Sequence, residues 1–416
     1  MSSGASAKPR IILLMQFYEP EPVYKGQAFA EAVARAGYEV EVVTGFPNYP
    51  GGKVYDGYRI RPIRREERNG IRITRLALYP SHDGSKIGRI LNYLTFAFSV
   101  LVYLTFFARR ANLVYAYSPP PTVGMAAALA RLVRRFPVVV DIHDLWPDTL
   151  PSSGMLNNPR ALAVIDRACN WMYRRIQHVI LHSNGFRARL LERGVPPEKA
   201  TAIIGWTGEG AAEAPVPEIP ENMRALPGFK LLYAGNIGSA QALDTVLEAA
   251  KLMQDAGEGQ VATFCFLGSG VARDDLVARA AEMGLANVAF LPRVPPAEVS
   301  AYLAAADALL VHLRDESLFS ITMPSKAQAY MVAGRPIVMG VRGEASALIE
   351  RAKCGVSVPP EDPRAMVEAV QTLSAMSLTD RATMGQNGHD YYWEHLSMEK
   401  GMSRFISIFD RYRRGQ

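Results

Sequence analysis

The sequence predicts an α/β protein built from two parallel-sheet domains. Short apolar, β-rich runs alternate with helical patterns along the chain, an order that favours parallel strands joined by helices. The chain has 416 residues, which is long for one domain and natural for two. Residues 208–227, rich in proline, glycine and glutamate, interrupt the alternation and have the composition of a linker.

The first half begins with a strand–helix–strand unit. Residues 10–17 are predicted to form a strand, residues 26–36 a helix with an apolar face, and residues 38–44 a second strand. Gly37 stands where glycine commonly ends a helix. This order predicts that the two strands pair in parallel. Three more strands are predicted at residues 111–117, 136–142 and 178–183.

A second series of strands and helices follows the predicted linker. Its strands are predicted at residues 229–235, 261–268, 287–292, 308–313, 335–340 and 354–358. Helical patterns are found at residues 240–254, 271–283, 296–306, 325–333, 344–352 and 363–375. We therefore expect two Rossmann-like domains, residues 1–207 and 228–389, facing each other across a cleft. The helical segment 390–416 is expected to pack back onto the first domain.

The charge is distributed unevenly between the two halves. The whole chain has 46 basic and 40 acidic residues, a net charge of +6. Residues 1–205 carry 27 basic and 15 acidic side chains, a net +12, whereas residues 206–416 carry 19 and 25, a net −6. Such an excess predicts that the first half contacts an anionic partner: a membrane surface, a phosphorylated lipid or a nucleic acid. The alternative is an ordinary solvated surface.

Residues 59–75 form a basic stretch within the first half. A nucleic-acid surface needs basic residues interleaved with aromatic ones on one face. Glu66 and Glu67 interrupt the stretch, so we expect no nucleic-acid partner.

The three cysteines, Cys169, Cys265 and Cys354, are scattered along the chain. This excludes a disulfide framework and a cysteine-based metal cluster, and is typical of a reducing compartment. The N-terminal residues lack the charged and then apolar pattern of a signal peptide. The sequence therefore predicts a cytoplasmic location.

Residues 90–108 form a run of 19 residues without a charge, and basic residues flank it on both sides. As a helix it would be about 28 Å long, close to the thickness of a bilayer core. Predicted strands of one sheet lie before and after it, so a single crossing would place them on opposite sides of a membrane. The run is therefore either a helix buried in the first domain or a monotopic element resting in one leaflet. The basic flanks favour membrane contact.

Two glycine-containing turns follow predicted strands in the second half. Gly235, Asn236 and Gly238 lie directly after one strand and before a predicted helix. Glycine lets the backbone approach a ligand, and a helix N-terminus attracts phosphate. Ser269, in the turn after the next strand, repeats the arrangement without the spacing of a dinucleotide fingerprint. Both turns are candidate phosphate sites, with plain structural turns as the alternative.

A cation stands at the start of the predicted helix at residues 325–333. Ser325 is expected to be the N-cap, and Lys326 lies in the first turn, where the helix dipole favours acids. A cation there is reasonable if both it and the helix end point at an anion. Arg293 and Arg314, each just after a predicted strand, are expected to join this anion site.

Polar and aromatic residues follow the predicted strand at residues 136–142. They are His143, Asp144, Trp146 and Asp148. Such a group at a strand end is typical of a cleft wall, and His143 is a candidate base or hydrogen-bond donor. The alternative for His143 is a structural role; no second histidine is spaced for a metal site, so no metal is expected. Gly26, at the opening of the first helix, is predicted to let a substrate lie on the helix end. The alternative is that Gly26 is an ordinary loop glycine.

Taken together, these motifs resemble retaining glycosyltransferases of the GT-B fold, in the family 4 group. The resemblance spans essentially the whole chain and is carried by RIILLMQFYEPE, NLVYAYSPPPTVG, DIHDLWPD, YAGNIG, FLGSG and MPSKAQAYMVAGRPIV. It is nearest to the branch that builds O-antigen, capsule and exopolysaccharide repeat units. The resemblance implies an N-terminal domain that binds the acceptor and a C-terminal domain that binds a nucleotide-sugar.

The resemblance also implies a reaction and a set of site residues. A sugar would move, with retention, from a nucleotide-sugar, expected to be UDP-linked, to a lipid-linked polyprenyl diphosphate saccharide. No metal or other cofactor is implied, because helix dipoles and cations stabilise the leaving diphosphate. The residues implied are His143 and Asp144 for catalysis, Gly26, Trp146 and Asp148 on the acceptor side, and Gly235, Asn236, Gly238, Ser269, Arg293, Arg314, Ser325, Lys326 and Gln328 for the donor. The enzyme is expected to be peripheral or monotopic on the inner face of the cytoplasmic membrane.

The sequence departs from the family pattern in the donor site. Many members have two glutamates upstream of an alanine–glycine–basic–proline stretch, and the aligned residues in this chain are Ile321 and Ala329. Neither side chain can hydrogen-bond a ribose or a sugar, and Gln328 is one residue from the second position. Two alternatives therefore stay open: a sugar-nucleotide epimerase of the GT-B type, and a donor-site-degenerate homologue that acts as a non-catalytic assembly partner.

Overall fold

The computed structural model describes residues 8–81, 86–152, 155–207, 209 and 218–413. The chain forms two compact units. The first contains the residues up to Ile203 together with those from Gly401 onwards, and the second runs from Ile204 to Lys400. Residues 208 and 210–217 of the predicted linker lie outside the described part of the chain.

The first unit is built on an eight-stranded sheet. Its strands are β1 (Arg10–Met15), β2 (Glu39–Gly45), β3 (Ile63–Arg68), β4 (Ile71–Leu76), β5 (Leu113–Ser118), β6 (Val138–Ile142), β7 (His178–Leu181) and β8 (Ala200–Ala202). They lie side by side in the order β3-β4-β2-β1-β5-β6-β7-β8. All neighbours are parallel except β3 and β4. The five strands predicted in this half are confirmed, and near-continuous burial explains their unbroken apolar runs.

Six helices connect these strands. They are α1 (Gln27–Arg35), α2 (Lys86–Val102), α3 (Pro121–Arg134), α4 (Thr149–Ser152), α5 (Pro159–Arg175) and α6 (Asn184–Glu192). A π-helical turn, Tyr103–Phe107, continues α2. By length and composition, Ile87–Phe107 is the one helical segment in the described chain that could cross a membrane.

The apolar run forms a helix with one buried face and one exposed face. The buried side chains of α2 include Asn92, Phe96 and Val100, spaced one helical turn apart. Asn92 is hydrogen-bonded on both sides of its amide: Nδ2 donates to Asn48 Oδ1 (3.1 Å), and Oδ1 accepts from Gln16 Nε2 (2.5 Å). The first turns of α2 are therefore fixed to the loops that follow β1 and β2.

The basic stretch at residues 59–75 forms a hairpin that the sequence analysis did not predict. β3 and β4 are joined at Asn69 and Gly70, whose φ angles of +49° and +74° suit a tight hairpin turn. Glu66 pairs with the buried Arg75 across the hairpin. An Asn-Gly pair between two β-rich runs is a strong hairpin signal, so this element could have been predicted.

The second unit is built on a six-stranded, fully parallel sheet. Its strands are β9 (Phe229–Ala234), β10 (Ala262–Leu267), β11 (Val288–Leu291), β12 (Ala308–His312), β13 (Ile337–Gly340) and β14 (Gly355–Ser357). Their order is β11-β10-β9-β12-β13-β14. All six predicted strands of this half are confirmed.

Helices α7 to α15 belong to this unit. They are α7 (Glu221–Arg224), α8 (Asp244–Asp255), α9 (Arg273–Glu282), α10 (Val299–Ala305), α11 (Ser317–Ser320), α12 (Ser325–Val332), α13 (Glu344–Ala352), α14 (Pro363–Ala375) and α15 (Leu378–His395). The last helix, α16 (Met398–Arg413), begins in the second unit and ends in the first. Within the first unit, Phe405 of α16 packs against Phe29 and Tyr115, with ring centroids 5.5 and 6.1 Å away.

Candidate active site

The first unit holds a buried ion cluster at the carboxyl edge of its sheet. Lys25, in the loop before α1, forms an ion pair with Asp141 of β6, and each side chain is only 2% exposed. Asp141 also accepts a hydrogen bond from the Tyr115 hydroxyl (2.5 Å). His143, just after β6, places its Nε2 3.4 Å from Asp141 Oδ1 and 3.4 Å from Lys25 Nζ. The predicted residue His143 therefore lies against two charged groups.

The charges in this cluster determine one another's protonation. Burial alone would raise the pKa of Asp141, but Lys25 and His143 hold it well below its usual range. Burial lowers the pKa of Lys25, and the charge of Asp141 opposes this shift. Asp141 is therefore a carboxylate at neutral pH. His143 Nε2 thus lies between an acceptor, Asp141 Oδ1, and a donor, Lys25 Nζ, each 3.4 Å away.

Aromatic rings surround the cluster. The ring of His143 lies 4.9 Å from Tyr117 and 4.9 Å from His182, measured between centroids. Lys25 Nζ lies 4.3 Å from the ring centroid of Phe405, close enough for a cation–π contact. His143 keeps 16% of its side chain exposed, and Asp144 beside it is exposed. Both predicted catalytic residues can therefore be reached from solvent, with His143 the more firmly oriented.

The N-terminus of α1 is not open to a substrate in the way predicted for Gly26. Glu19 Oε1 accepts a hydrogen bond from the Gln27 backbone N–H (2.8 Å), so the protein's own carboxylate occupies this helix end. A Cβ on residue 26 would lie 2.1 Å from that oxygen. The prediction is wrong because Gly26 makes room for Glu19 instead of a ligand.

The loop after β6 is tied to α6. Asp148 forms an ion pair with Arg193, and its Oδ1 lies 3.5 Å from Arg189 Nε. The carbonyl oxygen of Trp146, a half-buried residue, accepts a hydrogen bond from Arg193 (3.4 Å). Asp148 therefore links this loop to α6, and its role on the acceptor side stays a prediction.

A cavity of about 320 Å³ lies beside the two glycine turns of the second unit. Its lining includes the predicted residues Gly235, Asn236, Ser269 and Arg293. Gly235 and Gly268 have φ angles of +137° and +140°, and a Cβ on Gly268 would lie 2.0 Å from the Gly235 carbonyl oxygen. Gly268 must be glycine because the two turns pack directly against each other, and both φ angles lie in the region that favours glycine.

The first of these turns uses most of its amides internally. The Gly235 N–H donates to the Leu267 carbonyl oxygen (2.8 Å), and the Ile237 N–H donates to the Ser269 carbonyl oxygen (2.9 Å). The Gly238 N–H donates to Gln241 Oε1 (3.0 Å). The α-helix also begins later than predicted, at Asp244. The amide hydrogens of Gly235 and Gly238 already have acceptors and are not free to bind a phosphate, whereas the donor role of this turn as a whole stays a prediction.

Lys326 lies against the first glycine turn. A Cβ on Gly235 would be 2.5 Å from Lys326 Cε. Lys326 Nζ hydrogen-bonds the Tyr233 hydroxyl and lies 4.1 Å from that ring's centroid. Among the ion pairs of the described residues, none gives Lys326 a carboxylate partner. Burial lowers its pKa to about 8, so the residue is a desolvated cation next to the cavity.

Two residues of α12 differ from their predicted roles. Pro324 occupies the N-cap position and Ser325 is the first helical residue, so Ser325 is not the N-cap. Gln328 is 1% exposed. With its amide turned to satisfy its neighbours, it donates to the carbonyl oxygens of Pro324 (2.9 Å) and Ser325 (3.0 Å). The predicted donor contact of Gln328 is therefore wrong, because its amide serves the start of its own helix.

Arg314 braces the segment after the first glycine turn. Its Nε donates to the Ser239 carbonyl oxygen (2.7 Å), and its backbone N–H donates to the Ala240 carbonyl oxygen (2.9 Å). One guanidinium nitrogen of Arg314 is therefore used to hold this segment in place.

No group of three or more His, Cys, Asp or Glu side chains in the described part of the chain is arranged to hold a metal ion. The three cysteines are buried, and burial raises the pKa of each thiol to about 12. Such thiols are poor nucleophiles and poor metal ligands. The cations available to an anion near the cavity are Lys326 and Arg293.

Sequence reasoning missed Lys25, His182 and Tyr233. His182 follows β7 directly, and the carboxyl ends of parallel strands share one edge, so its position after a predicted strand was a usable signal. Lys25 and Tyr233 have no comparable local pattern. Their roles depend on Asp141, 116 positions away, and on Lys326, 93 positions away.

Two α/β units with largely parallel sheets, one of them with a glycine-lined cavity beside a half-buried cation, have the architecture of the GT-B class of glycosyltransferases. The chain is similar in structure to HepE from Anabaena, which was solved with UDP-glucose. The match covers 97% of this chain and 99% of the HepE chain, with a TM-score of 0.67 and 15% sequence identity. The predicted α/β, two-domain fold class is confirmed.

Matches to families and relatives are consistent along the chain. Residues 27–206 match the glycosyl transferase 4-like domain, and residues 228–376 match glycosyl transferases group 1. The chain belongs to the GT-B glycosyltransferases of the family 4 type. It is 29% identical over 332 residues to the probable glycosyltransferase WbjE of Pseudomonas aeruginosa, covering 77% of this chain and 80% of WbjE. It is 26% identical over 413 residues to the putative colanic acid biosynthesis glycosyl transferase WcaI of Escherichia coli K12, covering 94% and 97%.

Proposed function

We propose that this enzyme is a retaining glycosyltransferase of cell-surface polysaccharide biosynthesis. It moves a sugar from a nucleotide-sugar, a UDP-sugar in the simplest case, to a lipid-linked polyprenyl diphosphate saccharide. Two relatives support this proposal: the name of WcaI refers to colanic acid biosynthesis, and HepE was solved with UDP-glucose. The observation that carries the proposal is Lys326, a half-buried cation with no carboxylate partner among the described ion pairs, which lies against Gly235 of the glycine-lined cavity.

The leaving diphosphate is stabilised by cations in this mechanism. Lys326 attracts the diphosphate as charge develops on it, and Arg293, which lines the cavity, adds a second positive charge. Cations fixed in a desolvated site stabilise such charge more strongly than they would in water. No metal cofactor is required by this arrangement.

His143 serves the transferring sugar or the incoming hydroxyl in the proposed mechanism. Its Nε2 faces the Asp141 carboxylate, so the ring is held in one orientation without blocking the rest of the imidazole. Asp144, exposed beside it, is the second polar group available on this strand end. The incoming hydroxyl attacks on the face from which the diphosphate leaves, so the configuration at the sugar carbon is retained.

A donor and acceptor screen tests the reaction. The full chain is incubated with a panel of UDP-sugars and with polyprenyl diphosphate saccharides extracted from membranes. We expect release of UDP that depends on the lipid acceptor, and a product whose anomeric configuration by NMR matches that of the donor. Interconversion of the nucleotide-sugar without acceptor would establish an epimerase instead. Failure to bind any donor in calorimetry would favour a non-catalytic assembly partner, as the absence of a glutamate at Ile321 and Ala329 suggests.

We also propose that the enzyme works on the inner face of the cytoplasmic membrane. α2 exposes large apolar side chains opposite its buried face, among them Leu94 (54% exposed) and Phe98 (67%). The first half of the chain, which contains α2, carries the net charge of +12. An exposed apolar helix face within a basic region suits the surface of an anionic membrane.

Sedimentation with vesicles tests this location. Phe98→Ser should reduce binding to anionic vesicles, whereas Val271→Ser should not, although Val271 is the more exposed of the two (93%). Equal binding by both variants and the wild-type chain would remove α2 from the membrane contact.

A further inference from the structure

Two segments of the first unit end in the same way and lie side by side. The π-helical turn after α2 ends in Phe106 and Phe107, followed by Arg109 and Arg110. The end of α3 repeats the pattern: Leu132 and Val133 precede Arg134 and Arg135. Arg134 joins the two segments by donating to the carbonyl oxygens of Thr105 (3.0 Å) and Ala108 (2.9 Å).

A cavity of about 280 Å³ lies between these two ends. Its lining includes the four arginines Arg109, Arg110, Arg134 and Arg135, which we call the arginine pocket. Arg110 and Arg135 precede β5 and β6, so the pocket lies at the edge of the sheet where these strands begin. His143 lies at the opposite edge, where β6 ends. The arginine pocket is therefore separate from the candidate active site.

The positive charge of the pocket is weakly neutralised by the protein. Arg109 lies 3.6 Å from Glu39, but the same carboxylate oxygen also lies 3.8 Å from Arg10 and 3.5 Å from Arg72. Within the described part of the chain, no acceptor is recorded for the guanidinium groups of Arg110 and Arg135. Arg134 has only carbonyl partners, which carry no formal charge. Among the described residues, the one carboxylate near the four arginines is that of Glu39, and it is divided between Arg109 and two arginines outside the pocket. The pocket therefore suits an anion.

Exposed apolar side chains precede the arginines in both segments, and we call them the apolar rim; of these, Val133 lines the pocket itself. Phe106 is 73% exposed and Val133 is 69% exposed. Phe107 and Leu132 are each at least half exposed. A soluble anion would gain nothing from these side chains. A phospholipid, which carries a phosphate next to acyl chains, matches both the arginines and the apolar rim.

We propose that the arginine pocket binds the phosphate of an anionic phospholipid headgroup, while Phe106 and Phe107 insert beside it among the acyl chains. Guanidinium groups pair with phosphate oxygens in well-defined geometry, which favours arginine over lysine for this task. The inference rests on the proposed membrane location and adds a defined lipid site to it.

The position of the site has a functional consequence. α2 ends at the arginine pocket and begins beside Gln16 and Asn48, which follow β1 and β2 at the carboxyl edge. A headgroup held at one end of α2 would keep the whole exposed face of this helix on the membrane. The carboxyl edge, with His143, would then lie alongside the surface that carries a lipid-linked acceptor.

The test compares two double variants with equal loss of charge. Arg110→Gln with Arg135→Gln removes the two arginines that have no recorded acceptor. Arg160→Gln with Arg167→Gln is the matched control, because both arginines are exposed on α5 of the same unit. Binding is measured by cosedimentation with phosphatidylcholine vesicles, with and without a minor fraction of phosphatidylglycerol. UDP release by the same variants with a detergent-solubilised acceptor reports the basal activity.

We expect the pocket variant to bind phosphatidylglycerol vesicles about 30-fold more weakly than the wild-type chain, from the loss of two cations close to the surface. The control should lose no more than about threefold, because neither of its arginines lines the pocket and both are solvated on the protein surface. UDP release in detergent should be unchanged in both variants.

Three outcomes would overturn the site, and they are distinguishable. Equal losses for the two double variants would show a diffuse charge effect without a headgroup site. Displacement of the wild-type chain from vesicles by millimolar inorganic phosphate, but not by chloride at the same ionic strength, would assign the pocket to a soluble phosphate compound. No binding of the wild-type chain to either kind of vesicle would remove the membrane location itself, while leaving the glycosyl transfer reaction intact.

Discussion

Each unit holds a desolvated lysine, and the two lysines have different partners. In the first unit, Lys25 is paired with Asp141 and is close to His143. In the second, Lys326 is also desolvated, but its recorded polar partner is the hydroxyl of Tyr233. A buried cation that is already neutralised holds its neighbours in place. A half-buried cation without a carboxylate partner is free to pair with an anion, and this contrast is the basis for proposing structural support for Lys25 and donor binding for Lys326.

The largest effect expected is on the stability of the first unit. Lys25→Met leaves the Asp141 carboxylate buried without its cation, which should lower the free energy of unfolding by about 3–5 kcal/mol. Urea denaturation followed by circular dichroism measures this loss. Adding Asp141→Asn to the same chain should restore much of it, since the unpaired charge is then gone.

Lys251→Met is the control for that experiment. Lys251 forms an exposed pair with Asp255 on α8, and such pairs contribute less than about 1 kcal/mol. If Lys25→Met were as mild as Lys251→Met, the buried pair would not be a structural support, and the contrast between the two units would fail.

The next effect is on turnover. Lys326→Ala should lower kcat/KM for the nucleotide-sugar by about 10- to 100-fold, as expected for loss of a charge-assisted contact of about 1.5–3 kcal/mol. Steady-state release of UDP measures it, with Lys251→Ala as a control in the same unit. Unchanged turnover in Lys326→Ala would exclude this residue from the site.

The pH dependence of the same reaction sharpens the assignment. Because burial lowers the pKa of Lys326 to about 8, its charged form is lost as the pH rises through that value. The kcat/KM of the wild-type enzyme should therefore fall above pH 8, approaching a tenfold loss per pH unit. Lys326→Arg keeps its charge at these pH values, so any activity it retains should lack this decline. A wild-type profile that stays flat to pH 10 would contradict the role of the lysine cation.

The smallest effect concerns two serines at helix starts. Ser183 is a true N-cap, because its Oγ accepts a hydrogen bond from the Phe186 N–H (3.0 Å). Ser183→Ala should lower stability by about 1 kcal/mol. Ser325→Ala should lower it by less than about 0.5 kcal/mol, because Ser325 is the first helical residue and not the cap. Denaturation of the two variants side by side distinguishes these positions, and equal losses would restore Ser325 as a cap.

The strands of both sheets are predictable from sequence because a buried strand shows as a run of apolar residues within its own few positions. A strand such as β1 is buried at all six positions, so its residues form an unbroken apolar run. The glycine turns are predictable for the same reason, since each directly follows a strand. His143 was found because it stands at a strand end in a polar cluster.

The contacts that define the candidate site are less predictable, because they depend on residues far apart in the chain. The contact of Glu19 with the start of α1 is short-range, but it depends on how the intervening loop folds back, which the sequence pattern does not show. Nothing in the turn at Gly235 shows that its amide already has an acceptor in Leu267. The role of Lys25 depends on Asp141, and the two residues come together only when the first unit folds.

The contact between Lys25 and Phe405 has a consequence for how the protein is made. Phe405 belongs to the first unit but is encoded after the entire second unit. A ribosome therefore releases residues 204–400 before the aromatic cover of the Lys25–Asp141 pair exists. The first unit begins to be synthesised before the second but is completed after it, so a nascent chain cannot present its finished ion cluster until Phe405 has been added.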